Sequence, residues 1–293
     1  MTSLPPGPPE TVASRFLVST DEPLSADLSA VLADTGGGPA ALARELHARS
    51  VLTLREHRPE AGWLACLGGA SGRLERLKKA RHHLLVHVRG APDDAPRYAQ
   101  AARQAARLLA AAAGGLVVDV DSCQVVHTSP TERERFVLGD QWIGVFVAGD
   151  RRLVRADTWG LHRFGLPELV ARDVPLGHLL TAVNLLRVLA FRLFSRRSTG
   201  TMPGTLLVDG ADLPRFWGAR PAPAGRFMVR LSPATGGCHG CGSALEAAAT
   251  GRGADWWDDG PGRGLPKLLS VRPVPEPDPP ENALPARDPD RHP

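Results

Sequence analysis

The alternation of apolar and polar positions divides the chain into short strands and helices. Two runs of apolar residues, Leu84–Val88 and Leu116–Val120, predict two buried strands. Between them, Ala95–Ala113 places Tyr98 and a series of alanines and leucines on one helical stripe, with arginines and glutamines on the opposite side. A helix that presents mainly alanine lies close to its neighbour, so this strand–helix–strand order predicts an α/β layer.

The remaining elements predict an α+β fold, in which helices pack on a mixed, mainly antiparallel sheet. Two similar α/β layers are a variant of this prediction. Short helices are predicted around Leu28 and from Pro39 to Arg49, and an apolar helix at Gly177–Ser195. Further strands are predicted at Arg15–Ser19, Val51–Glu56, Trp63–Leu67, Trp142–Val147, Leu153–Thr158, Thr205–Val208 and Arg226–Leu231.

The helix Gly177–Ser195 allows two interpretations. It contains His178, Asn184 and Arg187, which makes it too polar for a lipid-facing span, so no membrane span is expected. A central core helix is the simpler interpretation, and a groove or membrane-surface element is the alternative.

Shifts in composition predict five regions along the chain. They are a disordered N-terminus (1–13), an α/β sandwich region (14–127), a second α+β region packed on the first (128–232), an irregular Gly/Pro-rich segment with a Cys-x-x-Cys loop (233–271) and a disordered Pro-rich tail (272–293).

Composition narrows the class of protein. The chain is 43% hydrophobic and 23% charged, which is typical of a folded protein. Its net charge of +4 (35 basic minus 31 acidic residues) falls short of a dedicated nucleic-acid binder, so nucleic acid is not an expected partner. No targeting pattern is visible and four cysteines do not make a disulfide framework, so we expect a cytoplasmic protein.

The string GLHRFGLPEL, Gly160 to Leu169, concentrates the residues that could carry chemistry or binding. Its two glycines, five residues apart, indicate special backbone angles or a close approach. His162 could serve as a base that Glu168 orients, and Trp159 and Arg163 could contact a ligand. In the alternative interpretation a strand turns a corner here, with Leu161, Phe164 and Leu166 packed inward and His162 and Arg163 solvated.

Two strings carry a family resemblance. AARLLAAAAGGLVVDVDS (Ala106–Ser122) and DTWGLHRFGLPEL (Asp157–Leu169) resemble an uncharacterised bacterial domain-of-unknown-function family. The resemblance covers about residues 80 to 195. It implies a shared α+β fold and transfers no catalytic residue, because none is established for that family.

Cys238, His239 and Cys241 form a Cys-x-x-Cys loop with three open interpretations. It is an inert exposed loop, half of a zinc site, or a redox pair. A closed zinc site needs four ligands, and Cys66 and Cys123 are on predicted strands, so no structural metal is expected.

Two polar clusters also allow a functional and a structural interpretation. Asp119 and Asp121 are two apart, so they could share a cation at the end of a strand, or run into a solvated turn. In the cationic set His82, His83 and His87, the last two share one face of a predicted strand and could bind a metal with a third donor. Otherwise they are solvated residues, with His87 at a sheet edge.

The missing motifs favour a non-catalytic protein-interaction module of adaptor or inhibitor type. The sequence has no nucleophile–base pair, no complete metal set and no cofactor loop, so no cofactor is expected. The alternative hypothesis is an enzyme whose dispersed site lies around His162 and Glu168. A minor metal- or redox-linked role through Cys238 and Cys241 is a further alternative. Another protein is the expected partner; substrate and oligomeric state are not indicated.

Overall fold

Two β-sheets, joined through one core, make up the structure. The computed structural model describes residues 9–24, 27–33, 36–58, 67, 71–126, 132–197, 204–234, 243–250 and 256–269. The predicted tail, most of the predicted N-terminal segment, the predicted strand at Trp63 and the Cys-x-x-Cys loop lie outside these residues.

Sheet A contains five antiparallel strands in the order β2-β3-β1-β4-β5. The strands are β1 (Val12–Thr20), β2 (Leu52–Glu56), β3 (His82–Gly90), β4 (Leu116–Asp119) and β5 (Gln124–Val125). The helices of this half are α1 (Leu28–Ala33), α2 (Gly38–Ala48), α3 (Ser71–Lys79) and α4 (Ala95–Ala112). The predicted packing of α4 on a sheet that contains both β3 and β4 is confirmed, with β1 lying between the two strands.

Sheet B contains six strands in the order β6-β7-β8-β11-β10-β9, and only the β8–β11 pair is parallel. The strands are β6 (Gly144–Gly149), β7 (Leu153–Trp159), β8 (Glu168–Pro175), β9 (Thr205–Asp209), β10 (Arg226–Ala234) and β11 (Ala244–Ala248). Helices α5 (Leu179–Ser195) and α6 (Asp212–Phe216) pack together beside this sheet. The predicted α+β class, with mainly antiparallel pairing, is confirmed.

Helix α5 is a core helix. With the preceding turn it forms a stretch, Leu176–Ser195, of 20 residues and mean hydropathy 1.4, the single one in the described chain that is long and apolar enough to cross a membrane. Most of its apolar side chains between Ala182 and Leu193 are nevertheless buried, and the Asn184 amide donates hydrogen bonds to the Pro266 and Leu268 carbonyl oxygens at 3.1 and 2.9 Å. The closing segment of the described chain therefore covers the polar side of this helix.

Parts of segment 233–271, which was predicted to be irregular, are regular where the structure describes them: β11 forms at Ala244–Ala248 and one π-helical turn at Asp258–Gly262. Strand β11 pairs with both β8 and β10. Leu245 is fully buried and Ala247 is 3% exposed, which fits the alternation of a central strand. Tertiary pairing has overridden the helical preference of the alanine-rich sequence.

The middle of the polar stripe of α4, from Gln100 to Gln104, is also buried, although its sequence is typical of a solvated face. Arg103 is 1% exposed, because its guanidinium pairs with the Glu132 carboxylate and lies 3.4 Å from the Trp142 ring centroid. The Gln104 side chain accepts a hydrogen bond from the Glu132 amide at 2.8 Å. The segment 132–143 therefore covers this stripe and leads the chain from sheet A into sheet B.

A substitution in α4 tests the packing of this helix on sheet A. Ala105 is fully buried, so Ala105→Arg buries a charge without a partner and should lower the free energy of unfolding by more than about 2 kcal/mol. Ala111→Arg, at an exposed position of the same helix, is the matched control and should change it by less than about 0.5 kcal/mol. Equal urea unfolding midpoints for the two variants would show that the packing is wrong.

Candidate functional site

A tight turn between β7 and β8 brings the residues of the GLHRFGLPEL string together. Leu161–Phe164 form one turn of 3-10 helix between Gly160 and Gly165, whose φ angles are 116° and 74°. Both glycines are thus left-handed, as predicted, and a Cβ on Gly160 would collide with the Trp142 carbonyl oxygen. The turn directs His162 and Arg163 toward sheet A.

Arg163 forms a buried ion pair with Asp119, at the end of β4. Its Nη1 donates to Asp119 Oδ2 at 2.8 Å and its Nη2 donates to Asp119 Oδ1, so the pair is bidentate. Both side chains have almost no solvent exposure. Asp119 Oδ1 also accepts the backbone amides of Asp121 and Ser122 at 3.0 and 3.1 Å, which fixes the turn after β4. One residue of sheet A is thereby joined to the β7–β8 turn of sheet B.

His162 lies between two carboxylates that come from different sheets. Its Nδ1 is 2.8 Å from Glu168 Oε1, at the start of β8, and its Nε2 is 3.3 Å from Asp121 Oδ1, after β4. Glu168 is fully buried and also accepts hydrogen bonds from the Gly160 and His162 amides and from the Thr158 hydroxyl. The imidazole therefore forms a second bridge between the two sheets.

Arg15, on β1, completes the network. Its backbone amide donates to Asp121 Oδ2 and its Nε donates to Asp121 Oδ1, both at 2.8 Å. The six ionisable residues Arg15, Asp119, Asp121, His162, Arg163 and Glu168, which we call the ionic network, comprise three cations and three carboxylates. Its charges balance, which is a condition for burying them at tolerable cost.

The network favours the charged form of His162. Burial by itself lowers the pKa of His162, but hydrogen bonds and charges from Asp121 and Glu168 outweigh that effect and raise the pKa to about 9. Burial likewise acts to raise the pKa of Asp121, but Arg163, His162 and Arg15 hold it well below its usual range. A histidine that is protonated at neutral pH has no lone pair to accept a proton, so this arrangement is suited to holding charge rather than to base catalysis.

The structure places the four predicted binding residues in two environments. Arg163 and Glu168 are fully buried, so each can act only through the residues that it contacts. The interpretation in which Arg163 is solvated is wrong, because Arg163 forms an ion pair with the buried Asp119. His162 keeps 22% of its side-chain surface exposed, and Trp159 is partly buried with its ring centroid 4.3 Å from that of Phe146. A binding role for His162 and Trp159 stays a prediction.

The inward residues of the turn follow their prediction. Leu161 and Phe164 are fully buried and Leu166 is 5% exposed. Phe164 packs edge-on against Phe136 and Phe194, with ring centroids 5.6 and 5.2 Å apart. The turn is therefore anchored in the core by its apolar side chains, while its polar side chains meet sheet A.

The two polar clusters differ from their predictions. Asp119 and Asp121 do share a cation, but that cation is the guanidinium of Arg163, and neither carboxylate reaches a solvated turn. His83 Nδ1 is 2.9 Å from the Ser19 hydroxyl, and His87 is on β3, which is flanked by β2 and β1 and is not an edge strand. Within the described residues, no group of three His, Cys, Asp or Glu side chains is arranged to hold a metal ion.

The candidate metal or redox residues Cys238, His239 and Cys241 lie outside the described residues, so their predicted roles stay open. Cys123, which is described, is buried between Ser122 and β5. Its position in the turn after β4 gives it a packing role against Leu17 and Val118.

Sequence reasoning missed Arg15 and Thr158 as members of the site. Both residues were placed on predicted strands, Arg15–Ser19 and Leu153–Thr158, without a role in the site. One signal was available: Asp119 ends the apolar run LVVD, and a carboxylate in a buried strand requires a cationic partner. The identity of that partner, 44 residues away, was not readable without the fold.

Comparison of the chain with protein-family models, curated proteins and solved structures finds no match. The resemblance to an uncharacterised bacterial family therefore stays a prediction.

The raised pKa of His162 predicts a specific pH dependence of stability. Its value in the fold, about 9, lies above the unfolded value of 6.5, so the stabilisation is fully present below pH 6.5 and is lost as pH rises through 9. In that window the free energy of unfolding should fall by up to about 1.4 kcal/mol per pH unit.

His162→Gln removes the titrating group while keeping a polar side chain of similar reach. Urea unfolding of both proteins at pH 6, 7, 8 and 9 should give a stability difference that is largest at pH 6 and shrinks toward pH 9. A difference that is constant with pH would mean that His162 is not held protonated in the fold.

Proposed function

We propose that the protein is a non-catalytic protein-interaction module of adaptor or inhibitor type, located in the cytoplasm and acting without a cofactor. The observation that carries the proposal is the way His162 is held. Carboxylates occupy both of its ring nitrogens, at 2.8 and 3.3 Å, so the most chemistry-rich string of the sequence contributes a cross-link between sheets.

The carboxylates of the ionic network support the same interpretation. Glu168 accepts four hydrogen bonds from described donors, and Asp121 and Asp119 each face an arginine. A general base needs a free lone pair near the reacting atom, and these oxygens already accept protein donors. The enzyme hypothesis around His162 and Glu168 is therefore less well supported than the module.

Exposed surfaces on both sheets offer places where a partner protein can bind. Edge strand β9 carries Leu207, 44% exposed, directly opposite Met228 of β10, 42% exposed. Part of sheet A is also uncovered, where Thr53 and Arg55 of β2 are exposed. Such flat or edge surfaces are the features that interaction domains present to partners.

The test begins with a partner that co-purifies from the native host and is then produced separately. The proposal predicts a stoichiometric complex of the two purified proteins by calorimetry. It also predicts that the intact mass of the partner is unchanged after prolonged incubation.

Catalytic turnover of a substrate would contradict the proposal. If a catalytic amount of the protein converts the partner or a small molecule, and His162→Gln abolishes that conversion while remaining folded, the protein is an enzyme. Failure of every co-purified candidate to form a binary complex would also count against the module.

A further inference from the structure

The two faces of sheet A are covered to different extents. Helix α4 packs over the face that carries Phe16, Val18 and Val86. On the other face, Leu77 of α3 covers Leu17 and Leu85. Beyond these leucines, toward the β1 end that begins at Val12, the second face carries cationic residues.

The cationic part of this face is centred on His87. The register places His87 directly between Thr53 on β2 and Arg15 on β1. Arg89 is two residues further along β3, and Arg55 is on β2 opposite Leu85, diagonal to His87. Alternation puts all five side chains on the same side of the sheet, and we call the set Arg15, Thr53, Arg55, His87 and Arg89 the cationic face.

The charges of the cationic face are not balanced by described carboxylates. Only Arg15 has such a partner, Asp121, whereas Arg55 and Arg89 are exposed and form no ion pair with a described carboxylate. Burial and then the charges of Arg55, Arg89 and Arg15 lower the pKa of His87. Asp121 balances Arg15, so Arg55 and Arg89 are left as two arginines near His87 without a described counter-charge, and a bound anion would balance them.

The size of the cationic face decides between classes of partner. Three strands span about 10 Å and five residues along β3 span about 13 Å, enough for three or four residues of an extended peptide. Nucleic-acid interfaces bury on the order of 1,000 Å² or more of protein and single strands stack on aromatic rings. Of the five residues of the cationic face, only His87 has an aromatic ring, and it is half-buried, so the face has no Phe, Tyr or Trp ring on which bases would stack.

We propose that the cationic face binds a short acidic segment of a partner protein, with Arg55 and Arg89 pairing with its carboxylates. The inference rests on the proposed function, because it supplies the chemistry of the partner. Guanidinium groups suit this role, since each offers a planar fork of donors that matches a carboxylate. The segment lies across β2 and β3, with Thr53 as a neutral hydrogen-bonding group between the two arginines.

The test uses a fluorescein-labelled hexapeptide of alternating glutamate and aspartate, with a thymidine hexanucleotide of similar charge as the competing class. Arg55→Gln/Arg89→Gln removes two charges from the cationic face. Arg151→Gln/Arg152→Gln removes two charges from the exposed β6–β7 hairpin and is the matched control. All four positions are exposed, so the thermal midpoints should stay within about 2 °C of the unsubstituted protein.

Fluorescence anisotropy should show salt-sensitive binding of the hexapeptide, weakened at least about tenfold by the face variant and less than about twofold by the hairpin variant. Equal weakening by both variants would reduce the effect to net charge and overturn the proposal. So would the absence of binding, or tighter binding of the hexanucleotide that depends on Arg55 and Arg89.

The two proposals fail in different ways. If a native partner binds the face variant as tightly as the unsubstituted protein, the module stands and the cationic face is not its docking surface. If the hexapeptide binds as predicted but the protein proves to be an enzyme with no stoichiometric partner, the anion-binding face stands and the module does not.

Discussion

The ion pair between Asp119 and Arg163 is the interaction on which the relation of the two sheets depends. A carboxylate at the end of a buried strand costs several kcal/mol unless a cation meets it. Asp119 ends β4 of sheet A, and its cation comes from the turn between β7 and β8 of sheet B. The glycines at both ends of that turn allow the backbone to carry Arg163 to this position, and the inward Phe164 anchors the turn in the core. Beside this pair, Arg15 and His162 contact the Asp121 carboxylate, and His162 also contacts Glu168.

The strands and helices that were predicted from the sequence are those whose local apolar pattern defines them. The strands near Leu84 and Leu116 and the helix from Ala95 follow from apolar periodicity and were found within a few residues. Strands β8 and β11 escaped prediction because their sequences, ELVARDVP and ALEAA, lack a clear alternation and are defined by pairing with each other. The polar stripe of α4 was misjudged because its covering segment, which includes Glu132 and Trp142, is distant in sequence.

The sequence predicted that His162 and Glu168 belong to the candidate site, but it did not predict what they do there. His162 and Glu168 were expected to meet, and their side chains are 2.8 Å apart. The sequence could not show that Asp121 would approach the other ring nitrogen, because that contact joins residues 41 positions apart on different sheets. The His162–Glu168 pair fits two roles: a base oriented by one carboxylate, or a cation held between two carboxylates. Only the second carboxylate, Asp121, distinguishes the two roles.

A double-mutant cycle on Asp119 and Arg163 tests the central claim most directly. Asp119→Asn leaves Arg163 with only its longer contact to Asp121, and Arg163→Met leaves Asp119 without its cation, whereas the double variant removes both charges of the pair. The account predicts that each single variant loses about 3–5 kcal/mol of unfolding free energy in urea, and that the double variant loses at least about 2 kcal/mol less than the sum of the two. Losses that add to within about 0.5 kcal/mol would show that the pair does not couple the two sheets.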